Sequence, residues 1–279
     1  MLIAQINHHL PLEGQETNQI DAQCNDEVIF ASSKIHPTIS ILTASLNEVN
    51  NIELWLRGIM GLLEQGMLNQ VIEIVIVDDG STDGTVSKVI SMEENYPVPI
   101  KLIQRHKKMG TLDSQITGAL QCKSDYLLVM DCDLQHPIQL IRRLMRGLDM
   151  NLDIIIGSRY IKGGKNNWNP YRGIVSRTAT LIAHILLRKT RKIKDPLSGY
   201  FIIKTDLLRN LKPHEGMFKP LMYAITMNKS LKIIEVPVNM ADRSYGESKI
   251  VNNPIKVMIR YIREVLVFWI NSKKMTKKQ

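Results

Sequence analysis

Short runs of Val, Ile and Leu alternate with amphipathic stretches of ten to fifteen residues from residue 38 to about 156, and this alternation restricts the fold most. The apolar runs are Thr38–Thr43, Ile72–Val77, Ile100–Gln104, Tyr126–Met130 and Asp153–Ile156. Helical periodicity falls between them, over 47–65, 84–94, 112–122 and 137–148. Strands that are apolar at nearly every position are covered on both faces. Strand and helix in strict succession make βαβ units and a mainly parallel sheet flanked by helices. The expected fold class is therefore α/β. Residues 1–36 are polar, rich in Gln and Asn and aperiodic, and read as an extension ahead of a folded unit over 37–250. Within that unit the texture changes after residue 160. A Gly/Lys/Asn loop over 162–167 leads to a helical stretch, 173–189, and an Asp195-Pro196 turn enters a strand over Tyr200–Ile203. Helices are expected across 205–228, a last strand over Ile233–Val238, and a closing helix over 253–271.

Charge is distributed unevenly along the chain. Of the formal +9, residues 1–35 contribute one Lys against five acidic groups, whereas residues 256–279 carry seven Lys or Arg and one Glu. A basic end attracts anions, including phosphorylated substrates and anionic lipid. Aromatic residues make up only 5% of the chain, and no RNA-binding signature accompanies the basic end, so a nucleic acid partner is not expected. The three cysteines, Cys24, Cys122 and Cys132, form no CxxC pair and suggest a reducing compartment. No apolar stretch reaches the roughly 18 residues of a membrane span, and no signal-peptide pattern opens the chain, so a cytoplasmic protein is expected.

Chemistry concentrates where the strands end. Asp131-Cys132-Asp133-Leu134-Gln135-His136-Pro137 follows directly on the Tyr126–Met130 run. The carboxyl edge of an open α/β sheet is where ligands bind. Two carboxylates one residue apart repel unless a cation lies between them, and carboxylate oxygens suit a hard dication. A dication held by so few protein groups completes its shell with water and substrate phosphate, which points to a nucleoside diphosphate compound. Asp78 and Asp79 close the second strand before Gly80-Ser81-Thr82-Asp83-Gly84 and face the same edge. They read either as ribose or base acceptors or as turn and cap residues. No G-x-G-x-x-G follows the first strand and no Walker lysine motif occurs, which disfavours dehydrogenase and P-loop chemistry. Cys132 reads as a small core residue, and His136 either as a phosphate contact or as the start of the next helix.

Three segments, Val77–Thr85, Met130–Pro137 and Gly157-Ser158-Arg159-Tyr160, resemble the inverting GT-A glycosyltransferases. Asp195-Pro196-Leu197-Ser198-Gly199-Tyr200-Phe201 and Arg243-Ser244-Tyr245-Gly246-Glu247-Ser248-Lys249 narrow the resemblance to the dolichol-phosphate mannosyltransferase group. The likeness spans about 38–250, with five motifs in order. It implies a Rossmann-like GT-A domain over 37–250 that moves a sugar, mannose from GDP-mannose, onto a polyprenyl phosphate. By position, Glu48 and Asp79 would contact base and ribose. Asp131, Asp133 and Gln135 would surround Mg²⁺ or Mn²⁺ on the donor diphosphate. Arg159, Arg172 and Arg243 would gather phosphate charge with Lys249 nearby, a role that suits the planar fork of arginine. Where family members show Pro-Thr-Tyr-Asn-Glu, this chain has Ala44-Ser45-Leu46-Asn47-Glu48, without the aromatic residue that helps hold the base.

A phosphate acceptor is already anionic, since its second pKa lies near ~6, and it needs no general base. A hydroxyl acceptor on a saccharide or metabolite would need one. Asp195 is the candidate, with ordering of the Asp-Pro turn as its other reading. Single displacement by the acceptor would invert the anomeric carbon. A third reading is a non-catalytic subunit that binds nucleotide sugar. Residues 251–279 form an amphipathic basic helix and tail. Its apolar positions Ile255, Met258, Ile262, Val265, Leu266 and Trp269 would lie on a bilayer surface, on the protein's own core or on a partner subunit.

Overall fold

The computed structural model describes residues 36–166, 170–212, 219–241 and 254–276. The expected extension over 1–36 therefore lies outside the described residues except for His36, and the motif carrying Arg243 and Lys249 lies outside them entirely. From the start, β1 (Ile39–Ser45), α1 (Val49–Glu64), β2 (Val71–Asp78), α2 (Thr85–Glu93), β3 (Ile100–Gln104), α3 (Thr111–Gln121) and β4 (Tyr126–Val129) follow the expected alternation. Then come α4 (Ile141–Met145), β5 (Ile154–Ser158), β6 (Lys165–Asn166), α5 (Pro170–Leu186), β7 (Phe201–Lys204) and α6 (Thr205–Arg209). The last elements are α7 (Pro220–Met227), β8 (Ile233–Pro237), β9 (Asn239–Met240) and a C-terminal helix, Pro254–Thr276.

Seven strands form one sheet in the order β3-β2-β1-β4-β7-β5-β8. All neighbours are parallel except β7, which runs antiparallel to both β4 and β5. Alternate strand residues divide between two cores, as a pleated sheet buried on both faces requires. Leu42, Val75, Val77, Leu127, Val129 and Phe201 pack with Ala183 of α5, Leu208 of α6, Leu221 of α7 and Val265 of the C-terminal helix. Ile41, Ile74, Ile76, Leu128, Ile155 and Ile202 pack on the other face with Trp55, Leu56 and Ile59 of α1 and Val89 of α2.

Strand order positions the site. The chain leaves β1 toward β2 and β3, then returns to place β4 on the other side of β1. That reversal opens a crevice beyond the carboxyl ends of β1 and β4, the place where doubly wound sheets bind ligands. Because β7 is antiparallel, its entry turn Asp195–Tyr200 reaches the same edge from the opposite direction.

Two helical stretches differ from the sequence reading. The helix expected over 137–148 begins only after Pro137, which is extended with ψ 114°, and is divided into a tight turn at Ile138–Leu140, the five residues of α4 and a second turn at Leu148–Met150. Of the helices expected across 205–228, α6 ends at Arg209 and α7 begins with Pro220 at its first position; residues 213–218 between them lie outside the described residues. The short β6 and β9 pair was not anticipated, and it ties the loop after β5 to the end of β8. The C-terminal helix buries Tyr261, Val265 and Phe268 against the domain. The Tyr261 hydroxyl donates to the Ala179 carbonyl of α5 at 2.9 Å, and Phe268 meets Tyr223 at 4.7 Å between ring centres.

Candidate active site

Beyond β4 the chain makes a sharp turn in which Leu134 takes φ +64°. This left-handed residue folds Asp133 and Gln135 back on one another, and the Gln135 N–H donates to Asp133 Oδ1 at 3.1 Å. The Asp133 carboxylate is buried, while the Asp131 side chain is 52% exposed. Gln135 Oε1 accepts from Arg172 Nη2 at 3.2 Å, and its Nε2 is buried with no partner in the described structure. Between the two aspartates Cys132 is buried. Its thiol is pushed well above the ordinary range by burial and by the carboxylates of Glu48, Asp133 and Asp131. Glu48 thus lies within electrostatic reach of the Cys132 thiol, and its Oε2 accepts from the Asn51 side chain at 2.7 Å.

The loop after β2 is tightly bound to its surroundings. Asp78 accepts from the Gly80 and Ser81 N–H groups and from the Ser45 and Ser81 hydroxyls, so it builds the turn. Asp83 accepts from the Val49 and Thr85 N–H groups and caps the starts of α1 and α2. The turn-and-cap reading therefore holds for both. Asp79 is buried and accepts from the N–H groups of Met109 at 2.9 Å and Gly110 at 3.0 Å, with Arg105 Nη1 at 3.4 Å. Arg105 also bonds Asp113 and the Thr117 hydroxyl. Asp79 thus clamps the loop before α3 at the carboxyl end of β2.

Arg159 and Asp195 form the strongest electrostatic feature. Arg159 donates from Nε to Asp195 Oδ2 at 2.7 Å, from Nη2 to Oδ1 at 2.6 Å, and from its backbone N–H to Oδ2 at 3.0 Å. Asp195 is 0% exposed. Burial opposes the guanidinium charge, but Asp195 more than offsets it and holds the Arg159 pKa above its ordinary value. Of the two readings of Asp195, base for a hydroxyl acceptor or ordering of the Asp-Pro turn, the geometry favours an ordering role: both its oxygens are engaged by a cation and shut off from solvent. Arg159 is likewise committed to this pair. Behind them the Glu235 carboxylate accepts the Lys194 and Asp195 N–H groups at 2.8 and 2.9 Å, and burial raises its pKa.

Lys219 escaped the sequence reading. Its ammonium donates to the Leu197 carbonyl at 3.3 Å. Its pKa is lowered to about 8, by desolvation first and by Arg159 and Arg172 as well, against the pull of Asp131 and Asp195. These four groups therefore lie within electrostatic reach of it. A lysine immediately before a helix opposes the helix dipole, and that misplacement was the available signal. The structure thus gathers Asp131, Asp133, Gln135, Arg159, Arg172, Asp195 and Lys219 at one edge, with Glu48 beside them. Asp79 lies across the crevice, at the end of β2. Among the described residues no three His, Cys, Asp or Glu side chains converge as a metal cage.

A sequence profile of glycosyl transferase family 2 matches residues 40–212. The chain belongs to this family. Within it, the dolichol-phosphate mannosyltransferase of Pyrococcus furiosus is 35% identical over 229 residues, covering 82% of this chain and 63% of that protein. The Saccharomyces cerevisiae protein of the same name is 30% identical over 207 residues, covering 70% of this chain and 75% of its own length. The chain thus spans under two thirds of the Pyrococcus relative. Among solved structures, Mycobacterium tuberculosis glucosyl-3-phosphoglycerate synthase with Mn²⁺, UDP-glucose and phosphoglyceric acid superposes with a TM-score of 0.64 at 19% identity, over 84% of this chain and 80% of that one. That likeness shows a shared fold. The GT-A architecture and the group resemblance read from the motifs both stand.

Proposed function

We propose that this family 2 glycosyltransferase moves a sugar, mannose from GDP-mannose, to a polyprenyl phosphate, with a divalent cation at the β4 turn. The observation that carries the reading is the pairing of a locked Asp195 with a cationic wall. A hydroxyl acceptor calls for a free base. The carboxylate in position for that task is spent on Arg159, whereas Arg172 and Lys219 bring positive charge toward Asp131 and Gln135. Such a site suits an acceptor that arrives already negative.

The residues present fit Mg²⁺ or Mn²⁺. Asp131 and Asp133 offer hard oxygens, Gln135 Oε1 keeps a second lone pair beside its bond from Arg172, and the short protein set leaves positions for a diphosphate and water. When bound, the cation would neutralise charge growing on the departing nucleoside diphosphate. The solved neighbour with Mn²⁺ and UDP-glucose supports this assignment. The chain's own groups do the rest. Glu48 and Asp79 border the nucleoside, with Arg105 behind Asp79. Arg172 and Lys219 would hold two phosphates near each other, and Arg159, neutralised by Asp195, braces the wall behind them; the family resemblance assigns Arg243 and Lys249, which lie outside the described residues, to the same task. Single displacement inverts the anomeric carbon.

A polyprenyl acceptor resides in lipid, so the enzyme would dock on the membrane, from the cytoplasmic face in this reading. No helix among the described residues is long and apolar enough to cross a membrane. The C-terminal helix buries one face on the domain yet exposes Ile259, Leu266, Val267 and Ile270. On α5, which packs beside it, Ile174, Leu181 and Ile185 are exposed at the same spacing as Ile259, Leu266 and Ile270. Arg177, Arg260 and Arg263 belong to these two helices. An apolar strip with basic residues alongside suits an anionic bilayer surface, and a partner subunit is the other candidate for it.

The test is transfer from labelled GDP-mannose to dolichyl phosphate or to a free saccharide, followed by extraction into organic solvent. Label entering the organic phase only with the lipid phosphate supports the reading. Label transferred to saccharide and retained in water overturns it, and no transfer from any donor favours a non-catalytic subunit.

A further inference from the structure

His136 lies one residue from Gln135, buried at 3% exposure, and neither sequence reading of it describes what the ring does. The backbone N–H of Asp131 donates to His136 Nδ1 at 2.8 Å. An N–H can be received only by a ring nitrogen that carries a lone pair, so the proton of the neutral imidazole sits on Nε2. Nε2 in turn faces Asp131 Oδ2 at 3.9 Å, beyond hydrogen-bond reach but on the correct side to attract it. The ring cannot turn away. It stacks on Tyr200 with 5.1 Å between centroids and 13° between planes, and Tyr200 is fixed by donating to the Pro137 carbonyl at 3.1 Å.

Gly199 closes the arrangement. A Cβ built there would lie 3.3 Å from Asp131 Oδ2 and 3.3 Å from His136 Cε1. Carboxylate, imidazole and glycine backbone therefore share one packed wall. Asp133 is held by its own burial, whereas the Asp131 side chain is half exposed, and this wall limits the rotamers open to it.

We propose that His136, as the Nε2–H tautomer, is a positioning residue that sets the backbone and carboxylate of Asp131 for cation binding, with Gly199 providing the space. The inference rests on the proposed cation site and deepens it. Groups that orient metal ligands are commonly worth about 10- to 100-fold in metal affinity.

Two measurements test it. In ¹⁵N-labelled protein without metal, the His136 ring should show the Nε2–H tautomer, and an Nδ1–H tautomer overturns the proposal. Mn²⁺ affinity, read by electron paramagnetic resonance on the full chain, should fall about tenfold in His136→Ala. His136→Asn, whose side-chain oxygen can replace Nδ1 as acceptor, should recover most of that loss. Gly199→Ala should weaken Mn²⁺ several-fold by crowding Asp131, which keeps the test decisive if His136→Ala fails to fold. Asp131→Asn separates the two readings. If it weakens Mn²⁺ while His136→Ala and Gly199→Ala do not, the positioning role alone fails. If it leaves Mn²⁺ binding intact, the cation site itself is wrong and the positioning role falls with it.

Discussion

Replacing Asp195 by Asn tests whether this carboxylate is a counter-charge or a base. In the folded protein it accepts three hydrogen bonds from Arg159, at 2.6, 2.7 and 3.0 Å, and is 0% exposed. The amide keeps its volume but turns one acceptor into a donor facing a donor, and it leaves a buried guanidinium without its counter-ion. Breaking a buried pair in this way costs about 3–5 kcal/mol. A fold stabilised by about 5–15 kcal/mol feels such a loss sharply. With a urea dependence near 3 kcal/mol/M, the denaturation midpoint should fall by about 1 M or more. The internal control is Asp206→Asn. Its bridge to Arg209 spans 3.1 Å with the carboxylate 78% exposed, and its loss should cost under about 1 kcal/mol. Exchanging Arg159 and Asp195 together for apolar side chains of similar volume should recover much of the stability. An Asp195→Asn protein that unfolds at the wild-type midpoint yet transfers no sugar would refute this reasoning and restore Asp195 as the base.

Other expectations can be checked separately. In a thermal-shift panel of GDP, UDP and dTDP with and without Mn²⁺, GDP plus metal should raise the melting temperature most, and Asp133→Ala should remove most of the metal dependence. Exchange of Ile174, Leu181, Ile259 and Ile270 for Ser should reduce sedimentation with anionic vesicles without lowering the melting temperature, because all four are exposed; unchanged sedimentation would remove these two helices as the docking face. Glu73 governs part of the acid sensitivity. Burial works against its charge, but Lys101, Ser40 and the Lys123 N–H outweigh it, so its folded pKa lies below the ordinary 4.5. Its contribution is therefore fully present above pH 4.5 and is lost as the pH falls through the lower folded value. The stability gap between wild type and Glu73→Gln should close in that acid window, and a gap that persists would contradict the shift.

The parallel strands and their ligand-binding edge were legible because apolar runs ending in Asp or Gly mark both burial and a chain reversal. Direction was less legible. Phe201–Lys204 has the same Ile-rich texture as its parallel neighbours, and nothing in an apolar run records which way it is threaded. Asp131, Asp133 and Gln135 share one motif in the sequence, whereas Arg172 belongs to none of the five and was assigned by position alone. What each carboxylate was already bonded to could not be read there, since Arg159 and Asp195 meet across 36 residues and Asp79 meets Gly110 across 31. Lys219 gave little signal beyond its place ahead of a helix, because its character comes first from burial and then from Arg159, Arg172, Asp131 and Asp195, all distant in the chain. His136 showed no role because the partner of Nδ1 is a backbone N–H, which every residue but proline carries.

The account depends on the turn after β4 holding a cation against a nucleoside diphosphate. Anomalous diffraction from crystals grown with GDP and Mn²⁺ tests this most directly. One manganese peak should appear within about 2–2.5 Å of an oxygen from each of Asp131 and Asp133, in contact with both phosphates. GDP bound in the crevice with no manganese beside those two carboxylates would contradict it.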